Sequence, residues 1–163
     1  GQSINCGGGL ITFEPNGHVK AVAEDGEAVT IIDQDILRSG TVEVWCSEQF
    51  AYIASLEGPS VWFVHISTMR LECAVELARL DMTGTYDPGG LHWTEFRGLD
   101  NGDVLLCYEL GIARLGTDGR LLWHRVHDDL TARVRAVDDG VVRVYGDSGR
   151  YGLDLATGDL LRD

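Results

Sequence analysis

Lysine is almost missing from this chain: Lys20 is the only one, and every other basic residue is arginine. Thirteen basic side chains stand against 26 acidic ones, for a formal net charge of −13. A field of that sign repels phosphate, so nucleic acid and anionic membrane surfaces are not expected as partners, while basic proteins, cations and neutral ligands stay open. Proline is also scarce, at 3 residues, whereas glycine reaches 21. That balance disfavours long irregular segments and favours many short strands joined by tight turns. No apolar run approaches the ~18 residues of a membrane-spanning helix. No charged region followed by an apolar stretch marks a secretion signal, so the cytoplasm is the default expectation. Cysteine occurs four times, at Cys6, Cys46, Cys73 and Cys107, without a C-x-x-C pair or a zinc-type spacing. Free, buried thiols acting as small apolar side chains are the expected state, although spacing alone leaves two disulfides open.

What is present is internal similarity. At 163 residues, 44% hydrophobic and 24% charged, the chain fits one globular domain, residues 1–163. Residues 93–127 and 131–163 align, with Asp100-Asn101-Gly102 meeting Asp138-Asp139-Gly140 and Thr117-Asp118-Gly119 meeting Ala156-Thr157-Gly158. Gly102 and Gly140 are 38 residues apart, and Gly119 and Gly158 are 39 apart. Each unit divides into four strands: His92–Leu99, Val104–Glu109, Gly111–Leu115 and Arg120–Val126, then Ala132–Val137, Val141–Tyr145, Tyr151–Leu155 and Leu160–Arg162. Glycine supplies the positive φ of the intervening hairpin turns, and Asp, Asn and Ser cap them.

A third meander is read at Thr41–Glu48, Phe50–Leu56, Val61–Ser67 and Arg70–Leu77. The alternation of Leu71, Cys73 and Val75 with Arg70, Glu72 and Glu76 favours a strand there over a helix across Thr68–Leu80. Near the start, Leu10–Glu14 and His18–Ala23 flank Pro15-Asn16-Gly17, the outer hairpin of a further unit whose inner strands read as short or missing. Ala28–Asp33 reads as another strand, and Gly7-Gly8-Gly9 as a leader or strand kink. The expectation is an all-β chain of repeated four-stranded antiparallel meanders, about four of them. At about 40 residues each is the size of one β-propeller blade.

The segment Gly152-Leu153-Asp154-Leu155-Ala156-Thr157-Gly158-Asp159-Leu160-Leu161 resembles the repeat of quinoprotein-like (PQQ-like) β-propellers, roughly A-x-D-x-x-T-G-x-x-x-W. Asp154, Thr157 and Gly158 match it, with Arg162 where the tryptophan would stand. Residues 113–123 match it again through Ala113, Gly119 and Trp123. The likeness covers the last 70 or so residues well and the rest in outline. It implies a structural role: the tryptophan docks on a neighbouring blade and the glycine turns the chain between the two outer strands. Many relatives hold no quinone, and no cofactor is expected here. About four units could close a ring, form an open arc or pair with a second copy, so an unpaired sheet edge gives a reason to expect a homodimer.

Reactive constellations are missing. His124 and His127, followed by Asp128 and Asp129, lie three apart on a strand, where alternate side chains face opposite ways, so no metal site is read. The aspartates of the turns lack the D-x-D-x-D-G order of a calcium loop. The glycine triplet lacks the rest of a P-loop, and there is no G-x-S-x-G elbow. No catalytic residue is proposed. Trp45 and Trp93 are the candidate binding residues: Trp45 as an interface anchor, Trp93 beside the Gly-rich stretch 81–91, read as an inserted loop. Trp62, in a run apolar on both faces, reads as core. The functional expectation is a non-catalytic binding or scaffold module for a protein or peptide. An enzyme or cofactor-binding domain of degenerate quinoprotein-like type is the alternative.

Overall fold

Short alternating segments punctuated by glycine turns leave the backbone one economical solution, in which each strand pairs with the next. The computed structural model describes residues 2–7, 9–33, 42–46, 50–55, 60–65, 70–76, 94–109, 111–127, 129 and 131–161. Every regular element among these is a strand. Strands β1 (Gln2–Cys6), β2 (Gly9–Phe13), β3 (Val19–Ala23) and β4 (Ala28–Ile32) form one antiparallel sheet in sequence order. A second holds β5 (Val42–Cys46), β6 (Phe50–Ser55), β7 (Ser60–His65) and β8 (Arg70–Glu76). The third holds β9 (Thr94–Gly98), β10 (Val104–Tyr108), β11 (Gly111–Leu115) and β12 (Leu121–Val126). The fourth holds β13 (Arg133–Asp138), β14 (Val141–Gly146), β15 (Gly149–Asp154) and β16 (Leu160–Leu161).

The strand expected over the third meander's last segment is β8. The first sheet departs from expectation, because its inner strand is complete. All five residues of β1 pair with β2, from Gln2 opposite Phe13 to Cys6 opposite Gly9. Gly7, at φ 38°, belongs to the turn between them. Only Ile4 and Cys6 are apolar in Gln2–Cys6, too thin a pattern to announce a strand by itself.

The chain falls into two compact units, Gly1–Gly90 and Leu91–Asp163. Within the first, Ile11, Phe13, Val19 and Ala21 of one sheet share a core with Ala51, Ile53, Trp62 and Val64 of the next. Strand β7 is buried on both faces from Val61 to Val64, which places Trp62 in the core. Within the second unit, Leu105, Cys107, Ile112 and Trp123 meet Val134, Val142, Val144 and Leu153. Strand β10 is buried throughout.

Two contacts tie the sheets of the second unit together at one carbonyl. Trp123 Nε1 donates to Leu155 O at 2.8 Å, and Arg114 Nη1 donates to the same oxygen at 2.8 Å. The rest of the Arg114 guanidinium grips Asp103 Oδ2, with Nη2 at 2.7 Å and Nε at 3.1 Å. Asn101 Nδ2 adds a bond to that carboxylate at 3.1 Å. Both ionic side chains are nearly buried, at 13% and 11% exposure. Against Trp123 lies Gly158, whose φ is +76° and whose missing Cβ would stand 2.6 Å from the indole. Asp154 organises that turn by accepting from the amides of Ala156 and Thr157, at 2.8 and 3.2 Å.

Gly158→Ala should therefore cost about 2–3 kcal/mol, from the positive φ and the clash together. Trp123→Ala should cost about 3–5 kcal/mol. The clash part of the glycine penalty should vanish in the double variant, a non-additivity readable by urea unfolding. Arg114→Met should cost about 3 kcal/mol by stranding the Asp103 carboxylate, and adding Asp103→Asn should recover part of that loss in the same measurement.

Candidate functional site

The fourth sheet has two unlike faces. In β14, Val142 and Val144 are fully buried, while Arg143 and Tyr145 between and beyond them are exposed. The register carries the open face across the sheet: Tyr145 opposes Arg133 and Arg150, Arg143 opposes Gly152, and Gly152 opposes Leu161. These residues bound a groove of about 570 Å³, lined by Arg143, Tyr145, Arg150, Tyr151, Val141 and Leu161 around Gly152. A Cβ on Gly152 would come within 3.0 Å of Val141 Cγ1, so the absent side chain is what opens the groove. Tyr145 and Leu161, each 38% exposed, supply its apolar surface.

Carboxylates stand against two arginines of this face. Arg143 Nε donates to Asp138 Oδ1 at 2.8 Å, a bond that raises the pKa of a guanidinium already charged at all ordinary pH. Arg133 Nη1 lies 3.5 Å from Glu95 Oε2. With Arg150, the open face gathers three of the chain's 13 basic side chains. Arginine and tyrosine are the residue types enriched at the energetic centres of protein interfaces, because each joins a flat contact surface to directional hydrogen bonding.

The hairpin bearing Tyr145 and Arg150 is fastened by Asp129. Its Oδ1 accepts from Thr131 N at 2.9 Å and Thr131 Oγ1 at 2.6 Å, and its Oδ2 accepts from Ser148 N at 2.9 Å. Thr131 Oγ1 accepts in turn from Asp147 N at 2.8 Å. The hydroxyl of Thr131, followed by the amides of Ser148 and Thr131, pulls the Asp129 carboxyl down to about 2 from its usual 3.8. The preceding hairpin turns through Asp139 at φ 50° and Gly140 at φ 74°, the left-handed pair that a two-residue connection requires.

The two histidines set aside in the sequence are held by neighbouring protein groups. His124 Nε2 bonds Tyr108 Oη at 2.8 Å with the rings stacked. His127 Nε2 bonds the Glu109 carbonyl at 2.9 Å, and its Nδ1 lies 3.3 Å from Tyr151 Oη. Among the described residues no group of three or more His, Cys, Asp or Glu side chains is placed to hold a metal, and no helix is long and apolar enough to cross a membrane.

Trp45 is half-buried on β5, in register with the buried Tyr52, on the face away from the core where Val44 and Cys46 pack. It belongs to the first unit and the groove to the second. Trp93 and stretch 81–91 lie outside the described residues. Sequence reasoning missed Arg143, Tyr145 and Arg150. The signal lay in the strands matched from their first residues, one step out of the Gly102–Gly140 alignment: Val104-Leu105-Leu106-Cys107-Tyr108 becomes Val141-Val142-Arg143-Val144-Tyr145, so an arginine replaces a leucine on one face only.

Repeated four-stranded meanders packed face on face define a fold of the β-propeller type. The chain matches no protein-family model and no curated protein. Among solved structures it is similar to BamB from Moraxella catarrhalis, with a TM-score of 0.60 and 12% identity, covering 98% of this chain and 50% of that one. It is also similar to the extracellular domain of the putative one component system BT4673 from B. thetaiotaomicron, with a TM-score of 0.54 and 11% identity, covering 98% and 23%. The chain thus spans half the length of the first and about a quarter of the second, and the likeness is one of fold.

Lowered in the folded state, the Asp129 pKa contributes stability that is complete above pH 4 and is lost as the pH falls toward 2. Asp129→Asn should lower stability at neutral pH and flatten the acid limb of a stability-versus-pH curve between pH 4 and 2, followed by urea midpoints.

Proposed function

We propose that the chain is a non-catalytic binding or scaffold module, and that the open face of the fourth sheet is where it recognises a protein or peptide. The observation that carries this reading is the groove bounded by Arg143, Tyr145, Arg150 and Leu161, set on a face whose reverse side is committed to the core. An extended segment bearing carboxylates fits it best, since the arginine forks offer paired donors and the tyrosine and leucine surfaces take the intervening aliphatic groups. A basic partner, which the net charge of −13 leaves open, would have to dock elsewhere. The proposed attribution to PQQ-like repeats draws support from the turn at Asp154 and Gly158 and from the docking of Trp123, which perform the structural roles that the motif implies. That motif brings no reactive group to the groove.

Panning a random peptide library against the full chain tests the reading. Selected peptides should be rich in Asp and Glu alternating with apolar residues, and Arg150→Glu should weaken them at least tenfold, about 1.4 kcal/mol, in calorimetric titration. Peptides that bind equally well to Arg143→Glu and Arg150→Glu variants would sink it.

A further inference from the structure

The first unit holds a pair of cysteines that the binding reading does not use. Cys6 closes β1 and Cys46 closes β5, so each ends the first strand of its own sheet. The positions are equivalent in the repeat, 40 residues apart. Cys6 is 1% exposed, and Cys46 is half-buried and packs against the same core. The Cys46 thiol points back at the other strand, donating to the carbonyl of Asn5, the neighbour of Cys6, at 3.6 Å. The Cys46 thiol adjoins the Cys6 thiol and helps to push it above its usual range, and both are unoxidised in this structure.

We propose that Cys6 and Cys46 are a cross-linking site, joined by a small-molecule disulfide oxidant into one intramolecular disulfide that staples β1 of the first sheet to β5 of the second. The chemistry is thiol–disulfide exchange. Cys46, the more accessible sulfur, loses its proton and attacks the oxidant, and one small thiolate leaves. Cys6 then gives up its proton and attacks the Cys46 sulfur of the mixed disulfide, which expels the second small thiolate. Two protein thiols are oxidised by two electrons in total, one small disulfide is reduced by two, and the released protons go to the departing thiolates. Burial, followed by the adjoining Cys46, pushes the Cys6 thiol well above its usual range. The second step is accordingly the slow one, and the mixed disulfide on Cys46 is the intermediate that accumulates. Closing a loop of this length restricts the unfolded chain and resists separation of the two sheets.

Incubating the full chain, folded in native buffer, with oxidised glutathione, followed by iodoacetamide in denaturant and non-reducing digestion, tests the assignment by mass spectrometry. The expected product keeps two of the four cysteines from alkylation. It also yields a linked Cys6–Cys46 peptide pair about 2 Da lighter than its reduced parts. The melting midpoint of the oxidised protein should rise by about 5 °C or more. Cys46→Ser should abolish both the link and the rise, and Cys107→Ser should leave both. Should Cys6→Ser fail to fold, Cys46→Ser alone still decides the matter. Alkylation of all four thiols at every glutathione ratio overturns the proposal, as does a mixed disulfide on Cys46 that never resolves to the Cys6–Cys46 link at long incubation, or a link made through Cys73 or Cys107.

Discussion

A four-stranded meander cannot bury its own apolar side chains; it has two faces and no third layer. Everything in this chain depends on one sheet finding another to lie against. Where a strand is covered on both sides, as β10 is, the sequence is apolar without alternation. Where only one side is covered, as in β14, valine alternates with arginine and tyrosine. The same physical demand that makes the core therefore also decides which surface is left open. The groove on the fourth sheet is the unburied half of a strand pattern whose other half is core.

Face-to-face packing alone would let two sheets slide, because apolar contact has no direction. Direction comes from a few polar bonds that cross the interface. The carbonyl of Leu155 receives both the Trp123 indole and the Arg114 guanidinium, and Arg114 is in turn oriented by Asp103. One acceptor thus fixes the third sheet against the fourth at a point next to the Asp154–Gly158 turn. The aspartate and glycine of that turn set its geometry, through the amides of Ala156 and Thr157 and the close approach of the Trp123 indole.

Much of the fold was legible because glycine turns and two-residue alternation act over short range. The strands of the second unit fall within a residue or two of where the Asp-Asn-Gly and Asp-Asp-Gly turns put them. The first strand of the first sheet was missed because β1 has only Ile4 and Cys6 to mark it, and its partner β2 supplies the pairing that local sequence does not announce. The candidate site was less visible. Tryptophan drew attention by size, but Trp45 is half-packed beside a buried tyrosine, whereas the open groove is built from arginines that look like ordinary surface charge until their register is known. A comparison of the two repeats at Leu106 and Arg143 contained the clue. What it lacked was knowledge of which face each residue shares.

The strand order carries a kinetic corollary. Among the described residues, each strand pairs within its sheet with the strand just before or after it in sequence, and none crosses over. The contacts that build each sheet are local in sequence, so a loop-closure penalty is met in small steps instead of one large one. An all-β chain is usually slow to fold because its partners are remote. Here the distance that matters within each unit is only that between its two sheets, and each unit can assemble one meander at a time, the second sheet receiving the apolar face of the first.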